Sequence, residues 1–245
     1  MTPNFYIFFG IIGLIFGSFF NVVIHRLPKV LNKNLTNKNT KLSIIKALSY
    51  PNSHCPSCKK SIKWFDNIPV LSWLFLQGKC RQCRKKISSL YALVELTTMC
   101  AFMFVFWQYG LSFAALGWVV FFSLIILLFF IDLTSFYLPD IFTYPLIGAG
   151  LLMSFVGLSG IHFTSALIGC ALGFLIFFGI NLLYKKWRGI DGFGASDKIL
   201  LAGLGSWLGF KSLYPIIMFS SLFGLLFMVV MLAFGRKYRM ETMLP

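Results

Sequence analysis

Long and nearly uncharged apolar runs recur along most of this chain, and they constrain the possible fold more than any other feature. Crossing the hydrocarbon core of a bilayer takes about 20 apolar residues in a helix. Seven runs approach that length: 5–24, 90–107, 113–131, 141–158, 163–183, 199–210 and 214–234. The sequence therefore predicts an all-α polytopic membrane protein with about seven transmembrane helices, of which the sixth is short for a full crossing. Because no basic stretch precedes the first run, we expect it to be retained rather than cleaved as a signal peptide.

The distribution of charge predicts how the chain lies in the membrane. The chain carries 22 Lys and Arg against seven Asp and Glu, a net charge of +15, and 14 of the basic residues lie between positions 25 and 89. Basic loops of membrane proteins stay in the cytoplasm, so we expect an outside amino terminus and a cytoplasmic loop at 29–89. Counting spans forward places Asp132 and Asp197 on the cytoplasmic side as well. This clustering indicates topology and contact with membrane lipid rather than binding of nucleic acid.

Four cysteines form a separate motif within that loop. Cys55 and Cys58 make one C-x2-C pair, Cys80 and Cys83 make the second, and residues 59–79 separate them. This spacing is typical of a closed, tetrahedral, structural Zn²⁺ site. Disulfides are the alternative, although a reducing cytoplasm disfavours them. The other two cysteines, Cys100 and Cys170, lie in apolar runs, and we expect them to be buried free thiols.

Polar residues within or beside the first two apolar runs are further candidates. Asn21 lies near the end of the first run, after the small residues Gly17 and Ser18, where it can donate a hydrogen bond to another helix. Glu95 lies about one turn inside the second run. Either a snorkelling surface group or a polar contact for a ligand fits this position. The apolar and aromatic segment 62–75 between the cysteine pairs is too short to span and predicts an interfacial platform.

Asp132 and Asp197 are the acids most suited to chemistry. A charged group at the centre of a membrane helix costs about 2.5–3.5 kcal/mol, so acids in such helices are functional candidates. Asp132 closes the third apolar run, and Asp197 opens the sixth after the glycine-rich turn 192–196. We predict that Asp140 is the N-cap of the following helix and that Asp191 is a solvated loop residue.

Two carboxyl groups at one membrane surface leave several functions open. If they share a site, one keeps its proton, and the pair can activate water and polarise a carbonyl, as in aspartic peptide hydrolysis. The helix dipole favours an anion at Asp197 and a neutral acid at Asp132, which predicts the base and the acid respectively. An ion-coupled membrane transporter could use the same two aspartates as a proton relay. A non-enzymatic assembly factor that recruits partners through the four cysteines is the third interpretation.

The residues in these positions resemble the type IV prepilin peptidases, which are aspartic membrane proteases of the GxGD type. The resemblance covers nearly the whole chain and consists of several motifs in the right order. These are residues 17–28 (GSFFNVVIHRLP), the four-cysteine loop with Trp64, 67–69 (NIP), 72–73 (SW) and 78–80 (GKC), then Tyr91 with Glu95, 131–140 (IDLTSFYLPD), 192–197 (GFGASD) and 204–209 (LGSWLG).

This resemblance implies that Asp132 and Asp197 are the catalytic pair of a peptidase in the bacterial cytoplasmic (inner) membrane. It implies cleavage of type IV prepilins or type II secretion pseudopilins after the glycine of a short basic leader. Methylation of the new amino terminus from S-adenosylmethionine would follow, and Glu95 is a candidate contact of that donor. The corresponding domains are 1–28 (first transmembrane helix), 29–89 (cytoplasmic loop associated with methylation) and 90–245 (aspartic peptidase domain).

The chain departs from the family pattern around the second aspartate and at its end. Ser196 stands where the family has glycine, and Ile199 stands where it has lysine, with Lys198 directly after the aspartate. Serine has less backbone freedom than glycine, so the effect on the turn is open. The chain stops at Pro245, about where such enzymes begin a final helix, so either the chain is truncated or it lacks that helix.

Overall fold

Helices make up most of the described part of the chain. The computed structural model describes residues 3–34, 44, 46, 48–50, 54, 55, 57–192 and 194–233. The helices are α1 (Pro3–Asn34), α2 (Leu71–Phe75), α3 (Leu90–Tyr109), α4 (Phe113–Ser135), α5 (Asp140–Phe155), α6 (Phe163–Arg188), α7 (Ala195–Leu208) and α8 (Leu213–Ala233). Within the described residues, the β pairing consists of two isolated bridges, His54 with Ser61 and Lys79 with Lys86. The prediction of an all-α membrane fold is therefore confirmed.

Five helical segments of the described chain are long and apolar enough to cross a membrane: Asn4–Leu31, Leu90–Tyr109, Phe113–Ser135, Phe163–Arg188 and Phe210–Val230. The other two predicted spans correspond to α5 and α7, which have 16 and 14 residues. At 1.5 Å per residue these helices reach about 24 and 21 Å, less than the roughly 30 Å of a hydrocarbon core. The predicted shortness of the sixth span is confirmed, and the fourth is short as well. The end of the seventh prediction, Phe234, lies outside the described residues.

Glycines bring α1 against α3 at backbone distance. A Cβ added at Gly13 would lie 2.8 Å from the Cα of Met99, and one added at Gly17 would lie 2.7 Å from the Cα of Glu95. Side chains at these positions would hold the two helices apart. Small residues permit such close approach in membranes, where little hydrophobic force drives helices together.

Helix α7 is held between α5 and α6 in a similar way. A Cβ at Gly205 would meet the carbonyl of Gly169, and one at Gly173 would lie 2.6 Å from the carbonyl oxygen of Leu201. On the other side, the fully buried Trp207 donates its indole N–H to the carbonyl of Leu146 at 2.8 Å. The glycines of α6 and α7 therefore let the two backbones pack closely, and this packing positions α7 in the bundle.

Helix α4 joins two buried apolar clusters. One cluster links α4 to α1 and α3, and its members include Phe20, Val94 and Ile131. The second links α4 to α5 and α7 through residues such as Leu146 and Trp207. The end of α4, where Asp132 lies, is thus packed from both sides.

The lipid-facing surface shows where one prediction is wrong. Every described side chain of α8 from 218 to 230 is exposed, as expected for a helix that faces lipid.

Cys100 is exposed and Cys170 is only partly buried, whereas we had predicted that both are buried. An apolar run specifies that a residue lies in a membrane helix, but it does not specify which face of that helix packs against protein.

Candidate active site and four-cysteine loop

Asp132 lies in the last turn of α4, with its side chain exposed beside the fully buried Ile131. The helix stops because Phe136 adopts the left-handed conformation and donates its amide to the Asp132 carbonyl at 2.8 Å. The hydroxyls of Thr134 and Ser135 donate to the carbonyl of Ile131, one turn back. These contacts satisfy carbonyls that a helix end leaves without partners. The Asp132 carboxyl is therefore placed at a well-defined helix terminus.

Asp197 is the third residue of α7, and its carboxylate reaches back to the start of the helix. The amide of Gly194 donates to Asp197 Oδ2 at 3.1 Å. An acid at this position satisfies a free amide of the first turn and interacts favourably with the helix dipole. The side chain is partly buried, so the glycine-rich turn presents it at the edge of the helix bundle.

The turn before Asp197 is fastened to the end of α6 by three hydrogen bonds. Asn181 donates to Asp191 Oδ1 at 3.0 Å and accepts from the amide of Gly192 at 2.8 Å. Lys185 donates to Asp191 Oδ2 at 3.1 Å. Asp191 is therefore an anchor of the turn rather than only a solvated loop residue, and the buried Asn181 is its partner. The sequence analysis missed Asn181, whose only signal was a polar residue near the end of an apolar run.

The charge of Asp197 acts on the carboxyl of Asp132, so the two acids lie in the same part of the helix bundle. They come from different helices, α4 and α7, which share a buried cluster. The structure thus brings together the two acids that the sequence analysis paired. A site of this kind can hold one ionised and one protonated carboxyl group.

A third acid, Asp140, contacts the residue that precedes Asp197. Ser196 donates its hydroxyl to Asp140 Oδ1 at 3.1 Å, which links the first residue of α5 to the first turn of α7. The N-cap of α5 is Pro139, and the helix has no side-chain cap, so the predicted N-cap role of Asp140 is wrong. The carboxylate turns instead towards a hydroxyl that glycine would lack. The serine that departs from the family pattern therefore makes a contact of its own.

The four cysteines of the loop converge on one point. The sulfur atoms of Cys55, Cys58, Cys80 and Cys83 all lie within 4.8 Å of one another, and Cys55 Sγ and Cys83 Sγ are 3.8 Å apart. A tetrahedral Zn²⁺ site with bonds of about 2.3 Å requires sulfurs about 3.8 Å apart. All four are free thiols. Donor number, donor type and spacing therefore fit a closed Zn²⁺ site.

The thiol pKa values also favour a cation in this position. Hydrogen bonds, first from the Cys58 amide, lower the pKa of Cys55 to about 6. Hydrogen bonds, first from the Cys83 amide, also lower the pKa of Cys80. The Lys85 amide lowers the pKa of Cys83, but burial and the neighbouring sulfurs outweigh it and raise the pKa to about 11. Four thiols this close together therefore cannot all be deprotonated at neutral pH without a positive ion among them.

A cavity of about 560 Å³ lies between the end of α1, the start of α3 and the four-cysteine loop. Glu95 lies in the wall of this cavity, and only 8% of its surface is exposed. Its carboxylate accepts from the amide of Val70 at 2.7 Å and from Asn21 Nδ2 at 3.4 Å. Its burial argues against a snorkelling surface group, and the role of Glu95 as a polar contact for a ligand stays a prediction. Nearby, the rings of His25 and Tyr91 stack at 4.5 Å between centroids.

The segment between the cysteine pairs is braced and partly exposed. Arg81 forms a bidentate ion pair with Asp66, with distances of 2.6 Å and 2.8 Å. Several apolar side chains of this segment face outward: Phe65, Ile68, Leu71, Leu74 and Phe75. This arrangement suits the predicted platform at the membrane interface.

Comparison with known proteins identifies relatives over most of the chain. Residues 11–109 match the family model of the bacterial peptidase A24 N-terminal domain, and residues 118–229 match that of the type IV leader peptidase family. A prepilin leader peptidase/N-methyltransferase of Neisseria gonorrhoeae is 39% identical, over 94% of this chain and 83% of the relative. One of Pseudomonas aeruginosa is 35% identical, over 91% and 79%. A type 4 prepilin-like proteins leader peptide-processing enzyme of Escherichia coli is 36% identical, over 89% and 82%. No solved structure matches the chain.

Proposed function

We propose that Asp132 and Asp197 perform the peptide cleavage catalysed by this protein. The chain belongs to the type IV leader peptidase family and is a bacterial inner-membrane prepilin peptidase with N-methyltransferase activity. The assignment is supported by the position of Asp132 at the end of α4 and of Asp197 at the start of α7, since the two helices share a buried cluster and the charge of Asp197 reaches Asp132. The family does not favour the alternative of an ion-coupled transporter.

The surroundings of the two acids support different roles. Asp197 accepts the Gly194 amide at the positive end of α7, which favours the ionised form and thus the base that takes a proton from water. Asp132 lies at the negative end of α4, which favours the protonated form that donates to the carbonyl oxygen. As the water oxygen attacks, its proton passes to Asp197 and the proton of Asp132 passes to the substrate oxygen. Because the acids interact, they titrate as a pair.

The distribution of basic residues supports a cytoplasmic location for this reaction. The basic loop 29–89 and the basic end of α6 belong on the cytoplasmic side by the positive-inside rule. Helix α4 ends and α7 begins on that same side, so both aspartates meet a leader peptide there. The substrate is a type IV prepilin or pseudopilin cut after the glycine of its leader. The proposed domains remain 1–28, 29–89 and 90–245.

The cavity beside the four-cysteine loop is the proposed place of methylation. Its volume of about 560 Å³ falls in the range of about 300–1,000 Å³ that small-molecule sites occupy. The lining combines rings that suit a purine, Trp73 and Tyr91, with basic side chains that suit a carboxylate, such as Arg26. These residues fit S-adenosylmethionine, which supplies an electrophilic methyl group when it is bound. Glu95 lies in the same wall.

The four cysteines are proposed to hold structural Zn²⁺. With four thiolates the coordination shell is closed, so the ion would shape the loop and not activate water. The loop forms one wall of the cavity, since Cys55 and Cys80 belong to its lining. Loss of the ion is therefore expected to affect methylation more than cleavage.

Purified full-length protein in detergent, incubated with a prepilin with and without S-adenosylmethionine, tests these assignments. Asp132→Asn and Asp197→Asn should each lower leader cleavage by at least about 100-fold, because general acid–base catalysis contributes that much or more. Both variants should still methylate a substrate peptide that is already cut. Asp66→Asn, which removes a carboxylate from the loop, is the matched control and should cleave normally. Cleavage at the normal rate by either of the first two variants would overturn the assignment.

A further inference from the structure

The wall of the cavity contains a buried oxygen that lacks a hydrogen-bond donor. Asn21 is only 5% exposed, and its Oδ1 has no partner among the described residues. The amide orientation is well determined, because Nδ2 faces two oxygen acceptors, the Tyr91 carbonyl at 3.0 Å and Glu95 Oε1 at 3.4 Å. Buried polar atoms nearly always have partners, so this oxygen indicates a donor that the described part of the chain does not supply.

Glu95, next to Asn21, has neutral donors but no cation. Its hydrogen bonds come from the Val70 amide, the Asn21 amide group and the Ser18 side chain. The ion pairs found in the described part of the chain are Arg81 with Asp66 and Lys185 with Asp191, so Glu95 is paired with no basic residue there. A buried carboxylate without a positive partner is costly. An ammonium ion, with three N–H donors and a positive charge, would satisfy both Glu95 and Asn21.

Glu95 and Asp132 lie at the same end of neighbouring helices. Val94 and Ile131, which precede them, belong to the same buried cluster. Glu95 is in the second turn of α3 and Asp132 is in the last turn of α4. An amino terminus released at Asp132 and Asp197 would therefore reach Glu95 without changing its depth in the membrane.

On these grounds we propose that Asn21 Oδ1 and the Glu95 carboxylate bind the free amino terminus that leader cleavage creates on the substrate. The proposal rests on the proposed peptidase and methyltransferase function and adds the acceptor side of the second site. The basic side chains in the rest of the lining, such as Arg26 and Lys29, suit the carboxylate of the methyl donor and would repel an ammonium ion. Binding of the amine is thus confined to the part of the wall formed by Glu95 and Asn21.

Peptide binding to the full-length protein in detergent tests the proposal without relying on turnover. The two ligands are the processed amino-terminal peptide of a prepilin with a free amine and the same peptide with an acetylated amine. A charged hydrogen-bonded contact of this kind should make the free-amine peptide bind about tenfold more tightly to the unmodified protein. Glu95→Gln and Asn21→Leu should bring the ratio close to one.

The control variant is Thr97→Val, an isosteric change on the exposed side of α3. Among the described residues, the Thr97 hydroxyl donates to the Leu93 carbonyl and to no other group. This variant should retain the ratio of the unmodified protein, and thermal unfolding identifies any variant that has lost its fold. Equal ratios for Glu95→Gln and the unmodified protein would overturn the proposal.

Binding of S-adenosylhomocysteine separates the two possible sources of an ammonium ion. We expect its affinity to be unchanged by Glu95→Gln. If that affinity falls while the peptide ratio stays the same, Asn21 and Glu95 bind the amino-acid end of the methyl donor, and the proposal is wrong. If the unmodified protein neither binds S-adenosylhomocysteine nor methylates the peptide, the proposed methylation site itself is wrong, whatever the peptide ratio.

Discussion

Gly17→Ala is expected to damage methylation while leaving leader cleavage nearly intact. The added Cβ would lie 2.7 Å from the Cα of Glu95, and ordinary contact begins at 3.4 Å. The contacted atom is backbone and cannot rotate away, so α1 and α3 must separate locally by about 0.7 Å (3.4 − 2.7). The hydrogen bond from Asn21 to Glu95 already measures 3.4 Å, and this separation would break it.

The expected effect on methylation is larger than the effect on stability. Overpacking costs about 1–3 kcal/mol, while alanine in place of a helical glycine recovers about 1 kcal/mol, so the net destabilisation is small. Displacing a substrate-binding group by about 1 Å can lower the rate by about 100-fold. We therefore expect kcat/KM for methylation to fall by about 10- to 100-fold and cleavage to change by no more than about twofold.

Mass spectrometry of a prepilin incubated with the full-length protein measures both activities in one sample. Gly10→Ala is the matched control on the same helix. Its Cβ would meet the side chain of Met103 at 3.0 Å, and this flexible group can move away, so both activities should stay normal. The reasoning is refuted if Gly17→Ala methylates like Gly10→Ala, or if cleavage and methylation fall by the same factor.

Three further predictions concern the cysteine loop and the turn before α7. Purified protein should contain about one Zn²⁺ per chain by elemental analysis, and Cys55→Ser should lose most of the metal and of the methylation but retain cleavage. Ser196→Ala removes the hydroxyl that donates to Asp140, a contact of about 0.5–1.5 kcal/mol, and kcat/KM for cleavage should fall about two- to tenfold; an unchanged value would show that the contact is not used. The hydrogen bond from Lys185 lowers the pKa of Asp191, so its stabilisation is present above the ordinary pKa of about 3.9 and is lost as pH falls through the lowered native value. The unfolding temperature of Asp191→Asn should accordingly lie below that of the unmodified protein at pH 6, and the difference should shrink progressively as pH falls below about 3.9.

The proposed cleavage and methylation sites share one structural support, helix α4 with its two buried clusters. One cluster connects α4 to the α1–α3 pair beside the cavity, and the other connects it to α5 and α7 beside Asp197. Because the two clusters are different, a local change beside one of them, such as Gly17→Ala, is expected to separate the two activities. A cavity in either cluster should instead reduce both activities together, since a large-to-small change in a core costs about 2–5 kcal/mol.

The amino-acid sequence by itself determined the class of the fold and most of the candidate groups. Apolar runs predict membrane helices because crossing a bilayer requires a long stretch of apolar residues and nothing from the rest of the chain. The C-x2-C pairs predict a metal site in the same local way, since each pair supplies two ligands from one turn. Asp132 and Asp197 stand out because acids are rare and costly in such helices.

Only the tertiary structure decided which of these groups meet and which side chains face protein. The glycine contacts between α1 and α3 bring Asn21 to Glu95, and the packing of α7 brings Ser196 to Asp140. Neither pair follows from sequence spacing, because each joins residues far apart in the chain. The exposure of Cys100 and the partnership of Asp191 with Asn181 likewise depend on which helix faces another. In a membrane, lipid and protein interior are equally apolar, so hydrophobicity selects the helix but does not select the face that packs.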